Sequence, residues 1–193
     1  MALGPVRVDA SVTQSRAAAP SREAAFNHLF EDFADPIFNY VLRMVGDRDR
    51  AADIAQDTFI KAFRKLDSLT DDASVRSWIY RIATNTAIDE MRRRRFVVRP
   101  STDDDERPAF DVADHRPDPE AQVMNNTLDE RIQRALLRLR PNHRQCLVLS
   151  DLEDMSAQQI GEVMDMSYGA VRTLLCRARG EMRKALAAEG LSR

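Results

Sequence analysis

The stretch WIYRIATNTAIDEMRRRR, residues 78–95, decides how the rest of the chain is read. Wound as a helix at about 100° per residue, it divides into two sides. Trp78, Ile79, Ile82, Ala83, Ala87 and Met91 fall on one, an apolar face able to pack. Arg81, Thr84, Asn85, Ile88, Arg92 and Arg95 fall on the other, at i, i+3, i+4, i+7, i+11 and i+14, so guanidinium groups, a hydroxyl and a carboxamide point the same way. Guanidinium groups suit phosphates and a carboxamide suits a base edge, so this face fits a nucleic-acid strand. The run of arginines at its end also complements the negative pole of the helix dipole. A solvated basic face on an ordinary amphipathic helix has an equal claim on this stretch taken alone.

Upstream, apolar residues at Phe26, Leu29, Phe30, Phe33, Ile37, Phe38, Val41, Leu42 and Val45 predict one or two helices, with Pro36 as a break or first-turn residue. Gly46, Asp47 and Asp49 make a turn that offers an N-cap. A helix follows over 50–66, with an expected apolar stripe of Ala52, Ala55, Phe59, Ala62, Phe63 and Leu66. Its other face carries Asp53, Gln56, Asp57, Ile60 and Arg64. Solvent exposure is the default for such a face, but an isoleucine among carboxylates also suits docking on a basic protein surface. Residues 67–73 read as a loop, and Ser74 can cap the helix that carries Trp78.

Downstream the composition changes abruptly. Residues 99–127 hold Pro100, Pro108, Pro117, Pro119 and the run Asp103, Asp104, Asp105, Glu106, which leaves little to pack, so this reads as a linker. As a coil it would span roughly 30 Å, and about 95 Å fully extended. Helical period resumes at Leu128 with Ile132, Ala135, Leu136 and Leu139, breaks at Pro141, and returns with Leu147, Val148, Leu149 and Leu152. Ser156 with Gln159 has capping-box form, and Asp165, Met166 and Ser167 make a short turn before a last helix. Two short helices across a three-residue turn match helix-turn-helix geometry. On the last helix Val171, Leu174, Leu175, Ala178, Met182 and Leu186 form a core stripe. The exposed arc holds Arg172, Thr173, Cys176, Arg177, Arg179, Arg183 and Lys184, which can read base edges near its start and grip phosphate further on.

These patterns predict an all-α chain of two small helical domains, over 22–98 and 128–187, joined by the acidic linker 99–127, with tails at 1–21 and 188–193. An apolar fraction of 44% suits globular folding. The net charge of −2 resolves along the chain: residues 21–98 carry 13 basic and 13 acidic side chains, 99–127 carry 3 and 8, and 128–193 carry 11 and 9. Two segments able to present basic faces therefore flank an acidic connector. No apolar run approaches a membrane span or a signal-peptide core, so cytoplasmic placement without membrane insertion is expected. Cys146 and Cys176 form no CxxC pair, and the His143–Cys146 half-site lacks obvious partners, so no metal or other cofactor is expected.

The residues 52–59 (ADIAQDTF) with Trp78 to Asn85 and Ala87 to Asp89 resemble region 2 of a bacterial sigma factor, and 156–179, with Gly169 to Arg172 and Arg177 to Arg179, resemble region 4. With only these two regions, the chain is similar to the extracytoplasmic-function (ECF) group of the sigma-70 family. The resemblance implies a protein that is not itself an enzyme, binds core RNA polymerase at its clamp helices and flap, and recognises promoter DNA. It assigns Asp53, Gln56, Asp57, Ile60 and Arg64 to polymerase binding and leaves Phe59 to packing. Asn85 would receive a flipped-out base of the minus 10 element in a pocket that includes the loop 66–76, with Arg81, Thr84, Ile88, Arg92 and Arg95 around it. Arg172, Thr173, Cys176, Arg177, Arg179 and Arg183 would face the minus 35 element. An anti-sigma factor is a further partner implied by resemblance alone. Two departures stand out: Leu174 where many relatives carry a basic residue, and Asp154 where glycine is common before the first helix of the pair. Cys176 on the reading face admits a redox role or merely a small side chain that fits. A sigma-like decoy and a stand-alone repressor are the rival readings; intact Asn85, Arg172 and Arg177 oppose the first, and the second would need a ligand or receiver domain, which residues 22–97 do not resemble.

Overall fold

The computed structural model describes residues 21–69, 74–98 and 127–191, with side chains described to Arg93 within the second segment. The linker reading of 99–127 and the predicted N-terminal tail fall almost wholly outside these residues, whereas the predicted tail from 188 is corrected: Ala188 ends α7, and Glu189 pairs with Arg134 at 2.9 Å and Arg138 at 2.7 Å. Seven α-helices and one short 3-10 turn make up the described fold, in the order α1 (Arg22–Val45), α2 (Arg48–Lys65), the 3-10 turn (Leu66–Ser68), α3 (Val75–Val98), α4 (Leu128–Leu137), α5 (Pro141–Asp151), α6 (Ala157–Met164) and α7 (Tyr168–Ala188).

Side-chain caps start most of these helices. Ser21, Asp47, Thr127, Ser156 and Ser167 each accept a backbone N–H from the first turn, and Thr127 with Glu130 and Ser156 with Gln159 complete reciprocal capping boxes. Ser74 accepts from the Ser77 N–H at 3.3 Å. α5 instead begins on Pro141, whose missing N–H costs nothing in the first turn. Gly46 ends α1 at φ +74°, a left-handed conformation that favours glycine, and its N–H bonds the Leu42 carbonyl.

Two expectations are corrected. Pro36 does not break α1, which runs through it for 24 residues. Proline forfeits a single intrahelical bond, whereas Leu29 before it and Ile37, Tyr40, Val41 and Met44 after it all bury on one face. On α2 the buried stripe is Ala51, Ile54, Ala55, Thr58, Phe59 and Ala62, while Ala52 and Phe63 are exposed. The stripe is rotated because α2 packs against both α1 and α3.

The largest difference concerns α3, which touches α1, α2 and α6 and is therefore enclosed on three sides. Ile79, Tyr80 and Ala83 are fully buried. α4 and α5 also pack on α1, so the two helical halves meet along a seam and share one continuous buried cluster. Both helical units expected from the sequence are present, and they pack on one another.

Within the helix-turn-helix, the backbone of Gly161 approaches the turn so closely that a Cβ would lie 2.6 Å from the Met166 carbonyl oxygen, and the Met166 N–H bonds the Gly161 carbonyl at 2.9 Å. Gly161→Ala is expected to lose about 2 kcal/mol of stability, as overpacking against backbone does, read as a lower urea midpoint with an unchanged slope.

Candidate nucleic-acid interface

On α3, Arg81, Asn85 and Arg92 are exposed along one stripe, with Asp89 also exposed between Asn85 and Arg92. Thr84, predicted on the same face, is instead 2% exposed. Its hydroxyl shares a 2.7 Å hydrogen bond with the Tyr40 hydroxyl and receives the Gln145 carboxamide N–H at 3.5 Å. Ile88 is half-buried for a related reason: the helix has a neighbour on a third side, which a two-sided wheel does not contain. The side chain of Arg95 lies outside the described residues, as do residues 70–73 of the loop assigned to the base pocket.

On α2, Asp53, Gln56, Asp57, Ile60 and Arg64 are all exposed. Asp53 and Asp57 line a shallow recess of about 220 Å³ between α2 and α3, together with Lys61, Thr86, Asp89, Glu90 and Arg93. The Lys61 ammonium donates to the buried Thr86 hydroxyl at 3.1 Å, which anchors the floor. An exposed aromatic edge, Phe30 and Phe63, lies at the join of α1 and α2, with the Phe26 and Phe63 ring centroids 5.0 Å apart. A wheel that buries Phe63 conceals it.

On α7 the first two turns present Arg172, Thr173, Cys176 and Arg177 to solvent. Tyr168, at the first helical position, is exposed too, with the Arg172 guanidinium 5.8 Å from its ring centroid. An aromatic directly after the Ser167 cap was the available sequence signal for it. Thr173 donates its hydroxyl to the Gly169 carbonyl at 3.0 Å. Arg179 is also exposed, and it pairs with Asp151 at 2.7 Å and donates to the Ser150 hydroxyl at 3.3 Å. That stripe of α7 runs into α5 beyond its second turn. Arg179 and Arg183 consequently border an apolar groove of about 410 Å³ lined by Ile132, Leu136, Leu147, Met182 and Leu186.

Asp154, just before α6, sits at φ +49°. An L-residue with a Cβ is strained there by about 1 kcal/mol. Asp154→Gly is expected to raise the melting temperature by a few degrees, checked by calorimetry.

His143 and Cys146 are both buried. His143 Nδ1 lies 2.7 Å from the Glu181 carboxylate, whereas burial pushes the Cys146 thiol up to about 11. Cys176 is the exposed cysteine.

The sigma-70 region 2 model matches residues 29–97, and the sigma-70 region 4 model matches 129–182. The ECF RNA polymerase sigma factor SigW of Bacillus subtilis is 32% identical over 167 residues, covering 84% of this chain and 89% of that protein. This chain belongs to the ECF sigma factors. The RNA polymerase sigma-H factor of Pseudomonas aeruginosa is similar at 31% identity, covering 84% of this sigma factor and 86% of the relative. Among solved structures, the sigma factor RpoE in complex with the anti-sigma factor NepR from Bartonella quintana shares the fold at TM-score 0.67 and 22% identity, covering 84% of this chain and 97% of that one. CnrH in complex with the cytosolic domain of CnrY does so at TM-score 0.63 and 22% identity, covering 86% and 90%. No helix among the described residues is long and apolar enough to cross a membrane.

Proposed function

We propose that this sigma factor binds core RNA polymerase through α2, directs it to promoters carrying minus 10 and minus 35 elements, and assists strand opening. The observation that carries this reading is the pairing of two exposed polar faces in one chain: Arg81, Asn85 and Arg92 on α3, and Arg172, Thr173, Cys176 and Arg177 on the capped second helix of the helix-turn-helix. Asn85 offers a carboxamide to an unstacked base between guanidinium groups that can hold the backbone. Capture of that base offsets a melting cost of a few kcal/mol and couples recognition to opening. Asp53, Gln56, Asp57, Ile60 and Arg64 supply the polymerase-docking face. Thr84 and Ile88 support α3 within the fold, and Arg179 and Arg183 flank the second DNA-reading face. The anti-sigma complexes of its structural neighbours support an anti-sigma factor as a further partner.

Run-off transcription with core polymerase on a pooled genomic template, with transcript starts sequenced, tests the reading. New starts that share an upstream pair of short motifs are expected; no new starts, and no co-purification with core polymerase, would favour the decoy. Asn85→Ala is expected to leave polymerase binding unchanged and to slow open-complex formation by about tenfold or more, given ~1–3 kcal/mol for a captured base. Permanganate reactivity of unpaired thymines reads that rate.

A further inference from the structure

We infer that Tyr168 is a specificity-determining residue for the upstream promoter element: its ring holds the Arg172 guanidinium in reading position, so base preference at the pair that Arg172 contacts depends on the ring beneath it. This role rests on the promoter-binding reading above and deepens it at one side chain.

Tyr168 is the first residue of α7, directly after the Ser167 cap, whose hydroxyl accepts the Ala170 N–H at 3.3 Å. In a helix-turn-helix the N-terminal residues of the second helix are the ones that meet base edges. The ring is 51% exposed, although it stands one turn before the buried Val171 and two turns before Leu175. The surface beside it is open, since a Cβ on Gly169 would meet no atom within 4 Å. Helical side chains lean toward the N-terminus, so each covers the turn before its own Cα. Arg172, one turn on, therefore lies back over Tyr168, with its guanidinium carbon 5.8 Å from the ring centroid. That distance is inside the ~6 Å over which a ring face attracts a cation.

The kind of contact decides what the arginine can still do. A carboxylate holds a guanidinium by taking its N–H donors, as Asp151 does to Arg179 at 2.7 Å. A ring face holds the cation through its quadrupole and takes no donor, so the planar fork of Arg172 stays free for a base edge. Among the described residues, the Tyr168 ring is the contact that orders this guanidinium. Thr173 beside it is also set in advance, because its hydroxyl donates to the Gly169 carbonyl at 3.0 Å. A fork already held in one orientation loses less side-chain freedom on binding. It also discriminates better, because the choice between bases depends on bidentate geometry. The ring's contribution is therefore read as selectivity at one base pair, not as general affinity for DNA.

The full chain, assembled with core polymerase, tests this on a promoter taken from the pooled-template transcription above, with each base pair of its upstream element changed in turn. Arg172→Ala identifies the pair that Arg172 reads, as the one whose preference falls by about tenfold. Tyr168→Ala is expected to lower preference at that same pair by about threefold, with the other pairs and the melting temperature unchanged. Tyr168→Phe keeps the ring and is expected to restore the parent's preference. Arg172→Ala combined with Tyr168→Ala should select no worse at that pair than Arg172→Ala, as residues acting through one another do. Full preference at the Arg172 pair in Tyr168→Ala would overturn the positioning role and leave the promoter reading standing. A Tyr168→Phe variant as poor as Tyr168→Ala would overturn it too, by moving the contact from the ring to the hydroxyl. If Arg172→Ala alters no pair, the promoter reading of α7 is what fails, and the role of Tyr168 goes with it.

Discussion

Arg144→Ala is expected to remove about 3–5 kcal/mol of stability, the range seen when one partner of a buried charged network is deleted. The residue is 5% exposed, and its guanidinium donates to the carbonyls of Leu136 at 2.9 Å, Leu137 at 2.8 Å, Leu139 at 3.2 Å and to that of Met44. Leu136 and Leu137 end α4, Leu139 follows it, and Met44 lies in the last turn of α1, a zone where carbonyls run out of intrahelical N–H partners; Leu136 additionally accepts the Leu139 N–H at 3.1 Å. A single fork of donors therefore closes two helix termini, one on each side of the seam. Burial lowers the guanidinium to about 10, so it remains charged at neutral pH, and its charge is matched by carbonyl dipoles in place of a carboxylate. Alanine would leave several buried acceptors unsatisfied together with a cavity. Arg144→Lys is expected to recover only part of the loss, because an ammonium cannot reproduce the planar fork. Urea unfolding followed by circular dichroism checks both; an alanine variant within 1 kcal/mol of the parent would contradict the capping role.

Asp53→Arg combined with Asp57→Arg is expected to weaken core polymerase binding by about 100-fold at low salt while leaving the fold intact. Both carboxylates are exposed one helical turn apart on α2, so neither contributes to the core. Reversal of two charges on a docking face replaces attraction with repulsion twice, and a few kcal/mol in total corresponds to that factor. The loss should shrink as ionic strength rises, because exposed charges are screened within about 10 Å at 0.1 M salt. Equilibrium binding to fluorescently labelled core polymerase at two salt concentrations reads both effects. An unchanged melting temperature with unchanged affinity would remove α2 from the polymerase interface.

Much of the local structure was legible because it depends on neighbours in sequence. The reciprocal caps at Ser156 and Gln159, the turn through Asp165 to Ser167 and the boundaries of α6 and α7 all follow from side chains that bond backbone three residues away. The exposed faces of α2 and of the first turns of α7 were likewise readable, since one periodic stripe identifies its opposite. Errors arose where a helix has more than one partner. Thr84 falls on the polar side of a two-sided wheel but is buried, bonded to Tyr40 of α1 and Gln145 of α5. Pro36 costs α1 one hydrogen bond, which the side chains buried on either side of it, Leu29 before and Ile37 to Val45 after, outweigh.

The sequence by itself determined that the chain is helical, where the caps and turns lie, and which side chains share a face, because hydrogen bonds and periodicity over three to eleven residues are local. Only the tertiary structure decided that the two halves close on one another, that Glu153 reaches Tyr80 and Arg76, and that Arg144 bridges α4 to the end of α1. Those contacts join residues 73 to 100 positions apart. No local pattern encodes them, for a glutamate in a polar turn looks the same in sequence whether it meets water or the partner half of its own chain.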